Sequence, residues 1–300
     1  MITDDPSLTF TRMHARWVIG LLIAGFVGPL VVGALVWPEG LQAEGPTVAG
    51  AILGCVSYAL IGVTLWGVLR RTGVGGPVLG VMPRQSEAWR YAALAVPMAG
   101  LAFAGAYLLF FSLSYVVPRL VTWWLLTIPP TFLWRGGLDA ALGNAASMLT
   151  LVVLAPVVEE LVFRGFLLNR WVAKYGTRVG IWLSAGCFAL LHIEILGAVV
   201  FAVILSLVYL RTRSLAGPIL VHMSNNALVG VLALADGFLS GGEPPQTLPE
   251  FQSTWWLGVL GGVIGVPWAL WYYRTHLKAK PTMPEGSAPL VEHVRGGEPQ

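Results

Sequence analysis

Charge-free apolar runs of about twenty residues recur along this 300-residue chain, and they constrain its fold more than any other feature. A helix of about that length crosses the roughly 30 Å of hydrocarbon in a bilayer. Charged residues make up only 11% of the chain, whereas soluble domains carry about 25%. Because a large core cannot explain that deficit, the sequence excludes a soluble fold. It predicts an all-α, polytopic integral membrane protein.

Eight segments have the length and composition of transmembrane helices, and we expect them to surround a polar intramembrane cavity. The predicted spans are Trp17 to Trp37, Val48 to Leu69, Tyr91 to Val117, Leu142 to Phe166, Val179 to Leu196, Gly197 to Leu210, Leu215 to Ala235 and Thr254 to Tyr273. The first run is longer than the apolar core of a signal peptide, so it is expected to remain as an anchor. Residues 1–278 would form one eight-helix membrane domain. Residues 279–300, rich in Pro, Gly and charge, are predicted to be a disordered cytoplasmic tail.

The basic residues predict the orientation. With the N-terminus in the cytoplasm, sixteen of the 18 basic residues lie on one side of the membrane, and only Arg119 and Arg135 lie on the other. The positive-inside rule therefore predicts eight spans with both termini cytoplasmic. It also explains the net charge of +3 without a nucleic-acid partner. The excess of Arg over Lys fits a GC-rich genome, which suggests a bacterial inner (plasma) membrane.

Two further features concern packing and the membrane surface. The segment Pro118 to Gly137 is broken by Pro129 and Pro130 and carries several aromatic residues, which favours an interfacial position. The last predicted span has glycines four residues apart, which allows helices to approach closely. We expect those glycines to allow close packing against another helix of the same chain rather than to form a dimer interface.

The stretch PVVEELVFRG, residues 156–165, places charged groups at the end of an apolar run. Such groups cost about 2.5 to 3.5 kcal/mol each at mid-helix, so each needs a reason to be there. Glu160 and Arg164 are four residues apart and can pair, whereas Glu159 is turned about 100° away. The arginine can then neutralise the Glu160 carboxylate, while the Glu159 carboxylate stays free to take part in a reaction. The alternative is that all three lie at the cytoplasmic helix end, where snorkelling makes charges cheap.

Two later spans each carry a histidine. His192 follows Phe188 by four residues, so the two rings share a helix face. His222 precedes Asn226 by four residues, which points two hydrogen-bond donors toward one cavity and suits an oxyanion hole. The structural alternatives are a packing histidine and hydrogen bonds between helices. Cys187 lies about 140° around the helix from His192, which disfavours cysteine catalysis.

These three groups of polar residues fall on late spans at a similar depth in the membrane. This placement favours one shared polar cavity over three unrelated structural roles. Two histidines with a carboxylate and an asparagine can bind a divalent metal or activate water directly. No His-Glu-x-x-His helix, the signature of many zinc proteases, is present.

The order and spacing of these residues resemble the three motifs of the CPBP family of intramembrane proteases. That family comprises the type II CAAX-processing (Rce1-like) endopeptidases and their bacterial relatives. The matching stretches are Glu159-Glu160-x-x-x-Arg164, Phe188-x-x-x-His192 and His222-x-x-x-Asn226. The resemblance covers about residues 142–235, which we take as the catalytic core.

The resemblance implies an intramembrane endopeptidase that hydrolyses a peptide bond of a membrane-associated protein or peptide with a glutamate-activated water. Glu159 would be the general base, His192 would help to hold the water, and His222 and Asn226 would stabilise the oxyanion. Three further residues would support this geometry: Glu160, Arg164 and Phe188. These implied roles account for every motif residue without a metal, so we expect no cofactor, although the sequence leaves a divalent metal and a metalloprotease mechanism open.

Two other function classes compete with the protease. One is a noncatalytic membrane protein of the same fold that acts in bacteriocin immunity or as a scaffold, and the complete motif set favours the enzyme over it. The other is a small transporter, which is disfavoured because the polar residues form one cluster rather than a relay across the membrane. In a bacterium a prenylated CAAX tail is not the expected substrate. Leader peptides and C-terminal sorting tails of exported proteins are the candidate substrates. The sequence does not indicate whether the protein is a monomer or an oligomer.

Overall fold

A computed structural model describes residues 10, 15–36, 47–126, 132, 137–239 and 247–276. Within these ranges the chain forms helices and no β-strand, which confirms the all-α class. The α-helices are α1 Ala15–Val36, α2 Val48–Arg71, α3 Gly75–Leu79, α4 Gln85–Ala93, α5 Ala95–Val116, α6 Pro118–Val121, α7 Leu138–Leu149, α8 Ala155–Glu160, α9 Asn169–Tyr175, α10 Thr177–Ala189, α11 Ile195–Thr212, α12 Ala216–Leu239, α13 Leu248–Ser253 and α14 Trp255–His276. The predicted tail at 279–300, with Pro129 and Pro130 of the interfacial segment, lies outside the described residues.

Seven helices in the described ranges are long and apolar enough to cross a membrane, and the chain is an integral membrane protein. The exception among the eight predicted spans is Val179 to Leu196. There α10 ends at Ala189 after 13 residues, about 20 Å of helix, and α11 begins only at Ile195. The prediction of one continuous span was wrong because the break falls in LLHIEI, which lacks a helix-ending Gly or Pro. The start of α11 has its own signal, since the Glu194 carboxylate caps it by accepting from Gly197 N at 2.9 Å.

The chain reverses tightly between α9 and α10. Gly176, at φ 82°, ends α9 in a conformation that favours glycine. One turn later the α10 backbone passes so close to α9 that a Cβ at Gly180 would lie 2.7 Å from the backbone nitrogen of Val172. A glycine is therefore required at that crossing.

Replacing Gly180 by alanine is expected to destabilise the protein by about 1–3 kcal/mol, because the added methyl group must push α9 and α10 apart. Gly186→Ala is the matched control on the same helix, since a Cβ there meets no atom within 4 Å. Thermal unfolding in detergent compares the two variants. Equal melting temperatures for Gly180→Ala and Gly186→Ala would contradict the close crossing.

The segment Leu138–Tyr175, here called the motif helix, runs as 38 helical residues. It is longer at both ends than the predicted span from Leu142 to Phe166. Two π-helical segments, Thr150–Leu154 and Leu161–Leu168, flank α8 and its Pro156. Proline lacks the N–H that a helix interior needs, and π-helical turns of this kind occur frequently at functional sites.

Helix α2 runs parallel to the motif helix and contacts it along one face. The Cys55 thiol lies 3.0 Å from the Thr150 hydroxyl, and a Cβ at Gly62 would lie 2.9 Å from a methyl of Val158. Helix α14 packs on α5, where a Cβ at Gly265 would lie 2.8 Å from the backbone nitrogen of Leu101. The glycines of the last span therefore serve packing within the molecule, as predicted.

Candidate functional site

Glu160 and Arg164 form the centre of the site on the motif helix. Arg164 Nη1 donates to Glu160 Oε1 at 2.8 Å, as their spacing predicts, and neither side chain is exposed (0%). Arg164 Nη2 donates to the carbonyl oxygen of Ala202 on α11 at 3.0 Å. The alternative of an exposed, snorkelling helix end is therefore wrong for this pair. The pair is only partly satisfied, because Glu160 Oε2 and Arg164 Nε are buried without a hydrogen-bond partner among the described residues.

His222, near the start of α12, joins this pair. Its Nδ1 lies 2.9 Å from Glu160 Oε1, and because an ionised carboxylate only accepts, Nδ1–H is the donor. That bond fixes the orientation of the imidazole and aims its other nitrogen, Nε2, at Glu159 Oε2, 3.8 Å away. Glu160 thus connects the buried arginine to a histidine on another helix.

His192 lies in the turn between α10 and α11, just past the end of α10. Its Nδ1 lies 2.7 Å from the carbonyl oxygen of Phe188, and a carbonyl oxygen can only accept. Its Nε2 therefore faces Glu159 Oε2, at 3.9 Å. Trp124, in the segment predicted to be interfacial, holds the turn by donating from its indole nitrogen to the Ile193 carbonyl at 3.2 Å.

Glu159 stands between the two histidines. Its Oε2 faces both Nε2 atoms across 3.8 and 3.9 Å, which is too long for direct hydrogen bonds. Its Oε1 accepts a hydrogen bond from the Tyr58 hydroxyl of α2 at 3.1 Å. The carboxylate side chain is 18% exposed, in contrast to the fully buried Glu160. The two adjacent glutamates therefore have different environments, as their 100° separation predicts.

Phe188 is the aromatic platform of the site and is only 1% exposed. The His192 ring stacks on it with centroids 4.2 Å apart, and the Arg164 guanidinium lies over it at 4.9 Å. Phe201 of α11 packs edge-on against the His222 ring at 4.9 Å. These contacts restrict the rotation of both imidazoles.

Asn226, the fourth predicted catalytic residue, makes no hydrogen bond to the glutamates or histidines of this cluster among the described residues. Its Nδ2 donates to the Leu151 carbonyl oxygen at 2.9 Å. Its Oδ1 accepts from Nδ2 of Asn225 at 3.3 Å. One amide hydrogen of Asn226 is committed to the motif helix, and its second remains for another acceptor.

A cavity of about 290 Å³ opens beside Glu159 and His192. Its wall is mainly apolar, with Tyr58 as a further polar group. The lining residues are Leu22, Phe26, Tyr58, Val158, Glu159, Val162, Phe163, Leu191 and His192. Helices α1 and α2, which the motifs do not include, therefore contribute to the wall.

Two imidazole nitrogens and a carboxylate oxygen form a donor set that Zn²⁺ accepts. Within the described part of the chain, however, no group of three or more His, Cys, Asp or Glu side chains has the geometry to hold a metal ion. The mechanism proposed for this chain uses protein side chains and water alone.

Sequence reasoning missed two contacts at this site. Tyr58 is 101 positions before Glu159, and its sequence signal is weak, because the same apolar span also carries the hydroxyl side chains of Ser57 and Thr64. The Leu151 carbonyl is a backbone group, and residue types do not reveal which acceptor a side chain reaches. Both contacts depend on how helices pack rather than on spacing along one helix.

Comparison with known proteins supports the resemblance. Residues 141–228 match the family model described as "Type II CAAX prenyl endopeptidase Rce1-like". This region includes all three motifs, whereas Tyr58 lies outside it. No curated protein and no solved structure matches the chain.

Proposed function

We propose that the protein is an intramembrane endopeptidase that uses a glutamate-activated water, because residues 141–228 match the Rce1-like family model and the chain is an integral membrane protein. The observation that carries the proposal is the arrangement around Glu159. Its Oε2 faces the Nε2 atoms of His192 and His222, and both histidines have their Nδ1 atoms engaged elsewhere. Three groups thus converge on one point beside an apolar cavity.

The gaps of 3.8 and 3.9 Å suit one shared water. In the proposed reaction Glu159 takes a proton from this water, whose oxygen forms a bond to the carbonyl carbon of the substrate. The tetrahedral intermediate collapses, the C–N bond breaks, and Glu159 returns the proton to the leaving amine. His192, with its Nδ1–H donated to a carbonyl, presents Nε2 as an acceptor that orients the water.

Asn226 and His222 are the proposed donors to the oxyanion. Asn226 can use the amide hydrogen that Leu151 does not occupy. His222 can donate from Nε2 only as an imidazolium, because its Nδ1 hydrogen already bonds to Glu160. Glu160 and Arg164 act through His222 by fixing its orientation.

The substrate class follows from the surroundings of the site. Glu159 lies on a membrane-spanning helix and borders a mainly apolar cavity, so the proposed substrate is a membrane-associated protein or peptide. We place the protein in a bacterial plasma membrane with both termini cytoplasmic. This placement rests on the distribution of the basic residues along the chain.

Purified protein in detergent, with a set of membrane-tethered peptides as substrates, tests this function. We expect His192→Ala to lower kcat at least hundredfold, because the water loses a partner that positions it. Cys187→Ala is the control. Because Cys187 is exposed on α10, we expect this substitution to leave cleavage unchanged. Wild-type cleavage in His192→Ala would overturn the mechanism. A wild-type protein that cleaves no peptide would favour the immunity or scaffold role.

A further inference from the structure

Tyr58 contacts the proposed general base from outside the region that carries the motifs. Its hydroxyl donates to Glu159 Oε1 at 3.1 Å. Its ring is held by Phe26 of α1, with the two centroids 5.3 Å apart and the ring planes at 87°. Of the two helices that precede the matched region, α2 therefore contacts the carboxylate directly and α1 supports the Tyr58 ring.

A glutamate carboxylate is poorly oriented by its own covalent structure. The terminal torsion of Glu is broad, so the two oxygens exchange places easily unless a partner holds one of them. The histidines do not hold Glu159, because both Nε2 atoms stand farther than a hydrogen bond from Oε2. Among the described residues, the hydrogen bond on this carboxylate comes from Tyr58.

We infer that Tyr58 is a positioning residue of the active site: its hydroxyl holds Glu159 Oε1 so that Oε2 faces the water between His192 and His222. The inference rests on the proposed function for its catalytic consequence, but the bond itself is independent of substrate. The hydroxyl engages one oxygen, the proton transfer uses the other, and Tyr58 does not touch the reacting atoms. Phe26 fixes the ring and so extends the site to α1.

The packing of α2 explains why Tyr58 reaches this point. Cys55, Tyr58 and Gly62 are three and four residues apart, so they share one face of the helix. Cys55 contacts Thr150, and Gly62 admits Val158 at close range. With both contacts made, the intervening Tyr58 is in register with Glu159. The register between two parallel helices therefore sets the orientation of the carboxylate.

The test compares Tyr58→Phe with Tyr107→Phe in the full-length protein. Both variants lose one hydroxyl that makes a hydrogen bond, and Tyr107, which pairs with Thr254 at 2.6 Å, belongs to a separate hydrophobic cluster. With a membrane-tethered peptide that the wild type cleaves, Tyr58→Phe is expected to lower kcat about ten- to hundredfold, the range for a hydrogen bond to a charged group. KM should stay within about twofold, since the ring remains in the cavity wall. Tyr107→Phe should change neither constant.

Infrared spectroscopy supplies a readout that needs no substrate. The carboxyl band of Glu159 is the one that disappears in Glu159→Gln, and it should shift in Tyr58→Phe but not in Tyr107→Phe. An unshifted band, an unchanged kcat, or a rise in KM alone would overturn the positioning role. If Glu159→Gln cleaves as well as wild type, the proposed function fails, and the band still decides whether Tyr58 holds Glu159.

Discussion

Arg164→Met should lower the free energy of unfolding by about 3–5 kcal/mol, because it leaves the Glu160 carboxylate buried without its cation. Arg164 is 0% exposed, and its guanidinium contacts Glu160, Ala202 and the face of Phe188. A methionine side chain fills much of the volume but replaces none of the hydrogen bonds. Thermal or chaotrope unfolding in detergent measures the loss.

Two further variants separate charge from packing in this prediction. Arg178→Met makes the same change at an exposed position of α10 and should stay within about 0.5 kcal/mol of wild type. Adding Glu160→Gln to Arg164→Met removes the unpaired charge, so more than half of the lost stability should return. A stability loss below 1 kcal/mol for Arg164→Met would contradict a buried ion pair.

Glu159→Gln is expected to lower kcat about a thousandfold, within the range for loss of a general base. The substitution keeps the shape of the side chain and leaves an oxygen that can accept from Tyr58. It removes the group that takes the proton from water. The folded state should therefore persist, and a matched melting temperature would separate lost chemistry from lost structure.

Glu250→Gln is the matched control for this substitution. Glu250 lies on α13 and completes a capping box with Thr247, a role that glutamine can also fill. We expect its cleavage rate to equal that of wild type. A comparable loss in both variants would mean that the assay reports a general effect of glutamate removal rather than the role of Glu159.

The sequence predicted most of the membrane fold because transmembrane helices satisfy their backbone hydrogen bonds internally and so leave a clear apolar pattern. The pattern failed at Val179 to Leu196, where α10 ends inside an apolar stretch. Glu194 marks the start of α11, because its carboxylate accepts a hydrogen bond from the backbone of the first turn of that helix. A cap inside an apparent span is easily misinterpreted as a loop residue at its end.

The site was predictable where its geometry lies within one helix. The pairing of Glu160 with Arg164 follows from four-residue spacing within the motif helix. His192 stacks on Phe188, four residues earlier, as the spacing predicts, although His192 itself lies in the turn just past the end of α10. The hydrogen bonds of Asn226 to Leu151 and of Tyr58 to Glu159 cross between helices. Such contacts depend on helix register and on the π-helical segments of the motif helix, and neither is encoded by residue spacing.

Cleavage in proteoliposomes tests the central claim most directly. Equal amounts of wild-type protein and Glu159→Gln are reconstituted and incubated with the same membrane-tethered peptides. Mass spectrometry measures the masses of the products. The account predicts that wild type yields two fragments whose masses sum to the peptide plus one water, and that Glu159→Gln yields almost none. Equal amounts of those fragments from both proteins would contradict a glutamate-activated water at this site.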